Sequence, residues 1–117
     1  MASINDRRTI YVVQPIYEEN LGNKELIGYG DLKIYHEVLV VPAYSEIDVA
    51  TYGTDISSVM KFQFEYPIDI STNGGTGIYL NKPTIGEDGV FHNPEYISTP
   101  LITHRNVRLF DGKKQKY

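Results

Sequence analysis

The chain has 117 residues and a mass of 13.3 kDa, with 41% hydrophobic residues, 22% charged residues and a formal net charge of −4. That length and balance fit one folded globular domain and exclude a second domain of usual size and wholesale disorder. The lack of cysteine excludes disulfide frameworks, thiolate metal sites and cysteine nucleophiles, and the longest uncharged apolar stretch, 38–43, contains Pro42 and is far short of the ~20 residues a membrane helix needs. With no apolar signal region at the N-terminus, a soluble, unsecreted protein is expected.

Ten tyrosines and four phenylalanines predict a strand-rich protein, because aromatic side chains fit a pleated surface and lose rotamer freedom on a helix. The run Thr9-Ile10-Tyr11-Val12-Val13 is the first predicted strand, stopped by Pro15. Segment 18–30 gathers Asn20, Gly22, Asn23, Gly28 and Gly30 around Leu26-Ile27 and reads as an extended loop or a flexible hairpin. Segment 31–44 is the predicted long strand, with Leu32, Ile34, His36, Val38 and Val40 on one side and Lys33, Tyr35, Glu37, Leu39 and Val41 on the other. Segment 45–58 is an acidic connection, and 59–66 resumes a strand through Met60, Phe62, Phe64 and Tyr66; a helical turn over 57–61 is the rival there.

Asn73-Gly74-Gly75 predicts a tight reversal inside a long loop region, 67–94, that also holds a short strand at Ile78-Tyr79-Leu80 and a turn at Asp88-Gly89. Segment 96–108 supplies one or two closing strands around Pro100, and 105–117 reads as a basic tail. Short strands separated by turn chemistry, with no long helical period, predict an all-β fold: a single small antiparallel β-barrel or sandwich with long loops.

Charge is unevenly spread. From Glu18 to Glu95 thirteen acids face four bases, whereas the flanks carry seven bases and two acids. A fold that brings the termini together would have one basic and one acidic surface, which favours head-to-tail or layered association. The acidity also opposes nucleic-acid binding over most of the surface, although strand aromatics can stack bases.

Little in the sequence points to catalysis. His36, His92 and His104 form no metal-binding spacing; His36 is expected to be a partly buried, hydrogen-bonded strand residue and His92 an exposed loop residue. The carboxylate pairs Glu18-Glu19 and Glu87-Asp88 are placed in glycine-rich loops and read as solvated loop charge. No serine stands in a nucleophile elbow, and Gly74-Gly75-Thr76-Gly77 has neither the lysine nor the strand-then-helix setting of a phosphate cradle. The expectation is no enzyme, no metal and no cofactor.

The pattern as a whole resembles the head–tail connector proteins of tailed bacteriophages, in the stopper or head-closure class. The resemblance is carried by Tyr29-Gly30 before the long strand, Tyr52-Gly53-Thr54-Asp55 in the connection, Pro67-Ile68-Asp69 before Ile78-Tyr79-Leu80, and Tyr96 with Asn106-Val107-Arg108 at the end. It implies a structural virion protein of the neck, assembled in the host cytoplasm. Its subunits would form a ring of six or twelve between portal or adaptor and tail proteins, passing double-stranded DNA without binding it. A lumen lined by carboxylates would repel the DNA backbone, which makes Glu46, Asp48 and Asp55 the candidate channel-facing residues. Tyr29, Tyr52, Gly53, Tyr96, Arg105, Arg108, Lys113 and Lys114 are the candidate subunit or partner contacts, with tyrosine supplying contact area at low entropic cost. The rivals are a tail-terminator or other tail ring protein and, from another class, a small β-barrel binding single-stranded nucleic acid or carbohydrate.

Overall fold

The computed structural model describes residues 7–42, 50, 53, 58–68, 70, 74–99 and 107–116, with residues 107 and 108 described in their backbone only. The chain is all-β. Its strands are β1 (Arg7–Asn20), β2 (Asn23–Pro42), β3 (Val59–Ile68), β4 (Gly77–Tyr79), β5 (Tyr96–Ser98) and β6 (Val107–Lys114). They form one closed sheet in the order β1-β2-β3-β6-β5-β4, and β4 pairs back onto β1. Every neighbouring pair is antiparallel.

Closure follows from the aromatic residues of β3 and β6. Phe62 stacks on Phe110 at 5.2 Å between ring centroids, Phe64 stacks on Phe110 at 5.5 Å, and Tyr96 and Tyr35 meet the two ends of this stack edge-on. The rings therefore run from β2 through β3 and β6 to β5, with Ile10, Val12, Val38, Val40 and Ile78 filling the remaining interior. Gly112 makes room for this. A methyl group there would lie 2.7 Å from Cε2 of Phe62 and 3.2 Å from Cβ of Tyr96.

A second, smaller core lies on the other face of the β1–β4 wall, where Val13, Tyr29 and Tyr79 pack with Tyr11, Leu32, Phe91 and Ile97. Residues 80–95 cover it, held by the paired backbone bonds between Tyr29 and Phe91 (2.8 and 2.7 Å) and by the Tyr79 hydroxyl donating to the His92 carbonyl at 2.5 Å. This explains why apolar residues follow one another over 10–13: successive residues point to opposite faces, and both faces are covered.

The hairpin of β1 and β2 departs most from the sequence reading. Pro15 does not stop β1, which continues to Asn20, and Pro15 pairs with Tyr29. Proline is tolerated because β4 pairs only with Tyr11, Val12 and Val13, so beyond Val13 this edge of β1 has no strand neighbour in the sheet. Of the two readings of 18–30, the hairpin holds and the extended loop does not: the segment is the far part of the β1–β2 pair, turning at Leu21 and Gly22 with φ of 52° and 83°, the two positive values of a type I′ turn. The expected basic tail is likewise largely β6, whose Lys113 and Lys114 pair with Ile97 and Tyr96.

Strand β2 is longer than its partner because residues 23–39 oppose residues 7–20, and the difference is taken up at three register shifts. The extra residue falls on β2 each time, and Glu37 and Asp31 take positive φ at two of the shifts. The bulge at Glu37 reverses the alternation, so Val38 and Tyr35 contact the same core while His36 is exposed, with its Nδ1 2.9 Å from the Thr9 hydroxyl. The expectation that His36 is partly buried fails for that reason.

Phe110→Ala is expected to cost about 3–5 kcal/mol, since it deletes the middle ring of the stack, whereas Leu109→Ala, which truncates a half-exposed side chain on the same strand, should cost under about 1 kcal/mol. Urea midpoints followed by circular dichroism measure both.

Candidate functional site

The most distinctive surface is the arm formed by the outer halves of β1 and β2. From Gln14 onward β1 pairs with β2 alone, so the arm is a two-stranded ribbon that extends past the closed sheet. At ~3.3 Å per residue, a strand the length of β1 spans roughly 46 Å, which matches the 47 Å long axis of a molecule only 30 and 29 Å across. A bare two-stranded ribbon is marginal in water. Residues 85–94 brace its base, and Gly28 allows the approach, because a Cβ there would meet Val90 Cβ at 2.8 Å. A notch of about 150 Å³ remains between Leu26 to Tyr29 on the arm and His92 to Pro94 on the brace.

Beyond the brace the ribbon is exposed. Tyr17 and Leu26 are cross-strand partners, each about half exposed, and Leu21 at the turn is 96% exposed. Leu21 is doubly unfavourable there: its side chain is apolar and almost wholly solvated, and its backbone occupies a left-handed region that costs a non-glycine residue roughly 1–2 kcal/mol. Next to it Glu18 lies directly opposite Glu25, a like-charged cross-strand pair, while Glu19 faces Lys24.

A second opening lies where β2 turns away from β3. The two strands pair only from Leu39 to Pro42, and past the Glu37 bulge they diverge around a cleft of about 430 Å³ lined by Tyr35, Glu37, Phe64, Glu65, Tyr66 and Ile68 among others. Arg7 reaches its rim, with Nη1 3.5 Å from the Glu65 carboxylate and 3.3 Å from the Glu37 carbonyl.

The acid–base groups are structural in their setting. His92 Nε2 and Asp88 Oδ2 are 2.7 Å apart on the exposed brace, and Asp88 Oδ1 accepts from the Val90 amide at 3.4 Å. The His92 hydrogen bond lowers the Asp88 pKa from its ordinary value. These bonds close the turn in which the Gly86 amide donates to Val90 and the Gly89 amide to Gly86. Among the described residues no three His, Asp or Glu side chains gather as metal ligands.

The expected partner contacts divide. Tyr29 and Tyr96 are each only 8% exposed and belong to the two cores, so the expectation that they offer surface to a neighbour is corrected: each sits on a strand face that the fold itself covers. Burial first, and then the charge of Glu95, push the Tyr96 phenol above its ordinary pKa, against the opposing effect of Arg8. Lys113 and Lys114 are exposed on β6, Arg108 lies on that strand, and Gly53 is exposed with φ of 57°. Glu46, Asp48, Tyr52, Asp55 and Arg105 fall outside the described residues. The hairpin was one of two readings of 18–30; what the residues did not show is its length, since β1 runs on through Pro15 to Asn20 and β2 starts at Asn23.

Comparison with known proteins adds no relative: no family model, curated protein or solved structure matches this chain.

Because the Asp88 carboxylate is favoured in the folded state, its bond to His92 contributes above the ordinary carboxylate range and is lost as pH falls through the lowered folded value. A carbon-13 NMR titration should place the Asp88 midpoint below that of an unstructured aspartate, and His92→Ala should return it upward.

Proposed function

We propose that this chain is a structural subunit of a bacteriophage neck, of the stopper or head-closure class, which works as a closed ring rather than as a lone molecule. The ring of six or twelve copies would sit between portal or adaptor and tail, closing the head and passing double-stranded DNA. The observation that carries the reading is the arm: a two-stranded ribbon reaching beyond the closed sheet, with apolar Tyr17, Leu21 and Leu26 held in solvent. A ribbon that carries exposed apolar side chains past a sheet already closed supplies the apolar contact that a repeating subunit needs.

The residues behind the family resemblance support the reading by their placement. Tyr29 and Gly30 lie at the base of the arm, where Tyr29 anchors the brace, and Pro67-Ile68 end β3 before the chain returns as β4. Ring subunits need rigid walls and reaching arms, and the closed sheet and the hairpin supply one of each. The strand aromatics that could have stacked nucleic-acid bases are largely committed to the core, with Phe62, Phe64, Tyr96 and Phe110 all buried, which weighs against the single-strand-binding alternative.

Electron microscopy of particle necks is the direct test. Necks containing the protein are expected to show a closed ring of it around the DNA channel, and particles made without it should fail to retain packaged DNA. Intact, DNA-filled particles that never contain the protein would overturn the reading.

A further inference from the structure

Among the described residues, the two ends of the closed sheet carry opposite charge. Because the strands alternate in direction, one end collects the starts of β1, β3 and β5 and the finishes of β2, β4 and β6. Its closeness is fixed by Arg8, which donates to the Leu80 carbonyl at 2.9 Å, and by the Gln115 amide, which donates to the Glu95 carbonyl at 2.9 Å. Arg8, Lys82, Lys113, Lys114 and Lys116 are all exposed at this end. Glu95, half-buried at this end and accepting from the Leu80 amide at 3.1 Å, offsets part of that charge.

The opposite end is the arm with its brace. Glu18, Glu19, Glu25, Glu87 and Asp88 are exposed there, against Lys24. The ends lie along a 47 Å axis, several times the ~8 Å over which charges are felt at physiological salt. Neither end neutralises the other within one copy.

We infer that the arm of one copy docks on the basic end of a second copy, a head-to-tail contact in which cations of that end receive Glu18, Glu19 and Glu25 while Leu21, Tyr17 and Leu26 leave water. The Glu18–Glu25 pair points to a cationic partner, since like charges directly across a ribbon are unfavourable until a counter-charge joins them. Leu21 points the same way: an exposed leucine in a left-handed turn position is costly in a lone copy and becomes useful when a neighbour covers it. The two surfaces differ, so the contact is heterologous and repeats from copy to copy. It rests on the ring reading for its biological setting and adds the surfaces through which copies meet.

Sedimentation velocity on the full chain tests it with two charge reversals, Glu18→Lys/Glu19→Lys on the arm and Lys114→Glu/Lys116→Glu on the basic end. Each variant alone is expected to associate about tenfold or more weakly than the unaltered chain, and high salt should weaken the unaltered chain in the same direction. An equal mixture of the two should recover association, because the intact arm of one variant then meets the intact basic end of the other, and the two reversed surfaces are complementary to each other. Leu21→Asn, which suits the turn, should raise the urea midpoint yet weaken association, a split that misfolding cannot produce. If the unaltered chain associates and neither reversal changes it, or the mixture stays monomeric, this contact is wrong while the neck assignment stands. A chain that is monomeric at every concentration also overturns the contact, and the electron microscopy of necks then decides the assignment by itself.

Discussion

The structure depends on one constraint, that three phenylalanines from two strands must stack inside a sheet small enough to close. Phe62 and Phe64 lie on the same face of β3, two residues apart, and Phe110 of β6 faces both. Each buried aromatic removes a large apolar area from water, and the stacked and edge-on contacts add about 0.5–1.5 kcal/mol per pair beyond that. Tyr35 and Tyr96 then tie the stack to β2 and β5. Closure removes exposed strand edges along most of the wall, which leaves open edges, among the described residues, on the hairpin ribbon and where β2 and β3 diverge.

The smaller core outside the wall has a different task. It uses the outward side chains of β1 and β4 to hold residues 80–95 as a second layer, so that a segment without regular strand becomes a brace for the arm. The polar groups near the junction are satisfied locally: the Thr76 amide donates to Ser98 Oγ at 3.0 Å and the Thr76 hydroxyl to Gln14 Oε1 at 3.2 Å. Rigid base and exposed tip thus arise from adjacent stretches of the same two strands.

Much of this was legible in the residues. The aromatic-rich composition predicted an all-β chain, and β3, the short strand at Ile78-Tyr79 and the turn at Asp88-Gly89 stand where their turn chemistry and alternation put them. What could not be read was set by pairing. Pro15 interrupts a strand in most settings, and it is accepted here only because β4 has already ended at Val13. His36 was misplaced because a bulge one residue away reverses the faces of the strand, and nothing in the alternation of 31–44 marks Glu37 as its site. Tyr29 and Tyr96 read as surface because tyrosine serves both core and interface, and their burial depends on residues 80–95 and on β6.

The register shifts of the hairpin have a geometric result of their own. All three added residues fall on β2, and a bulge bends the strand that carries it and increases its local right-handed twist. A ribbon bulged on one rail alone is bent by its own backbone rather than by a neighbour. Any chain of copies linked through the tip therefore inherits a fixed turning angle per step, and the sum of those angles determines whether it comes back to its starting point.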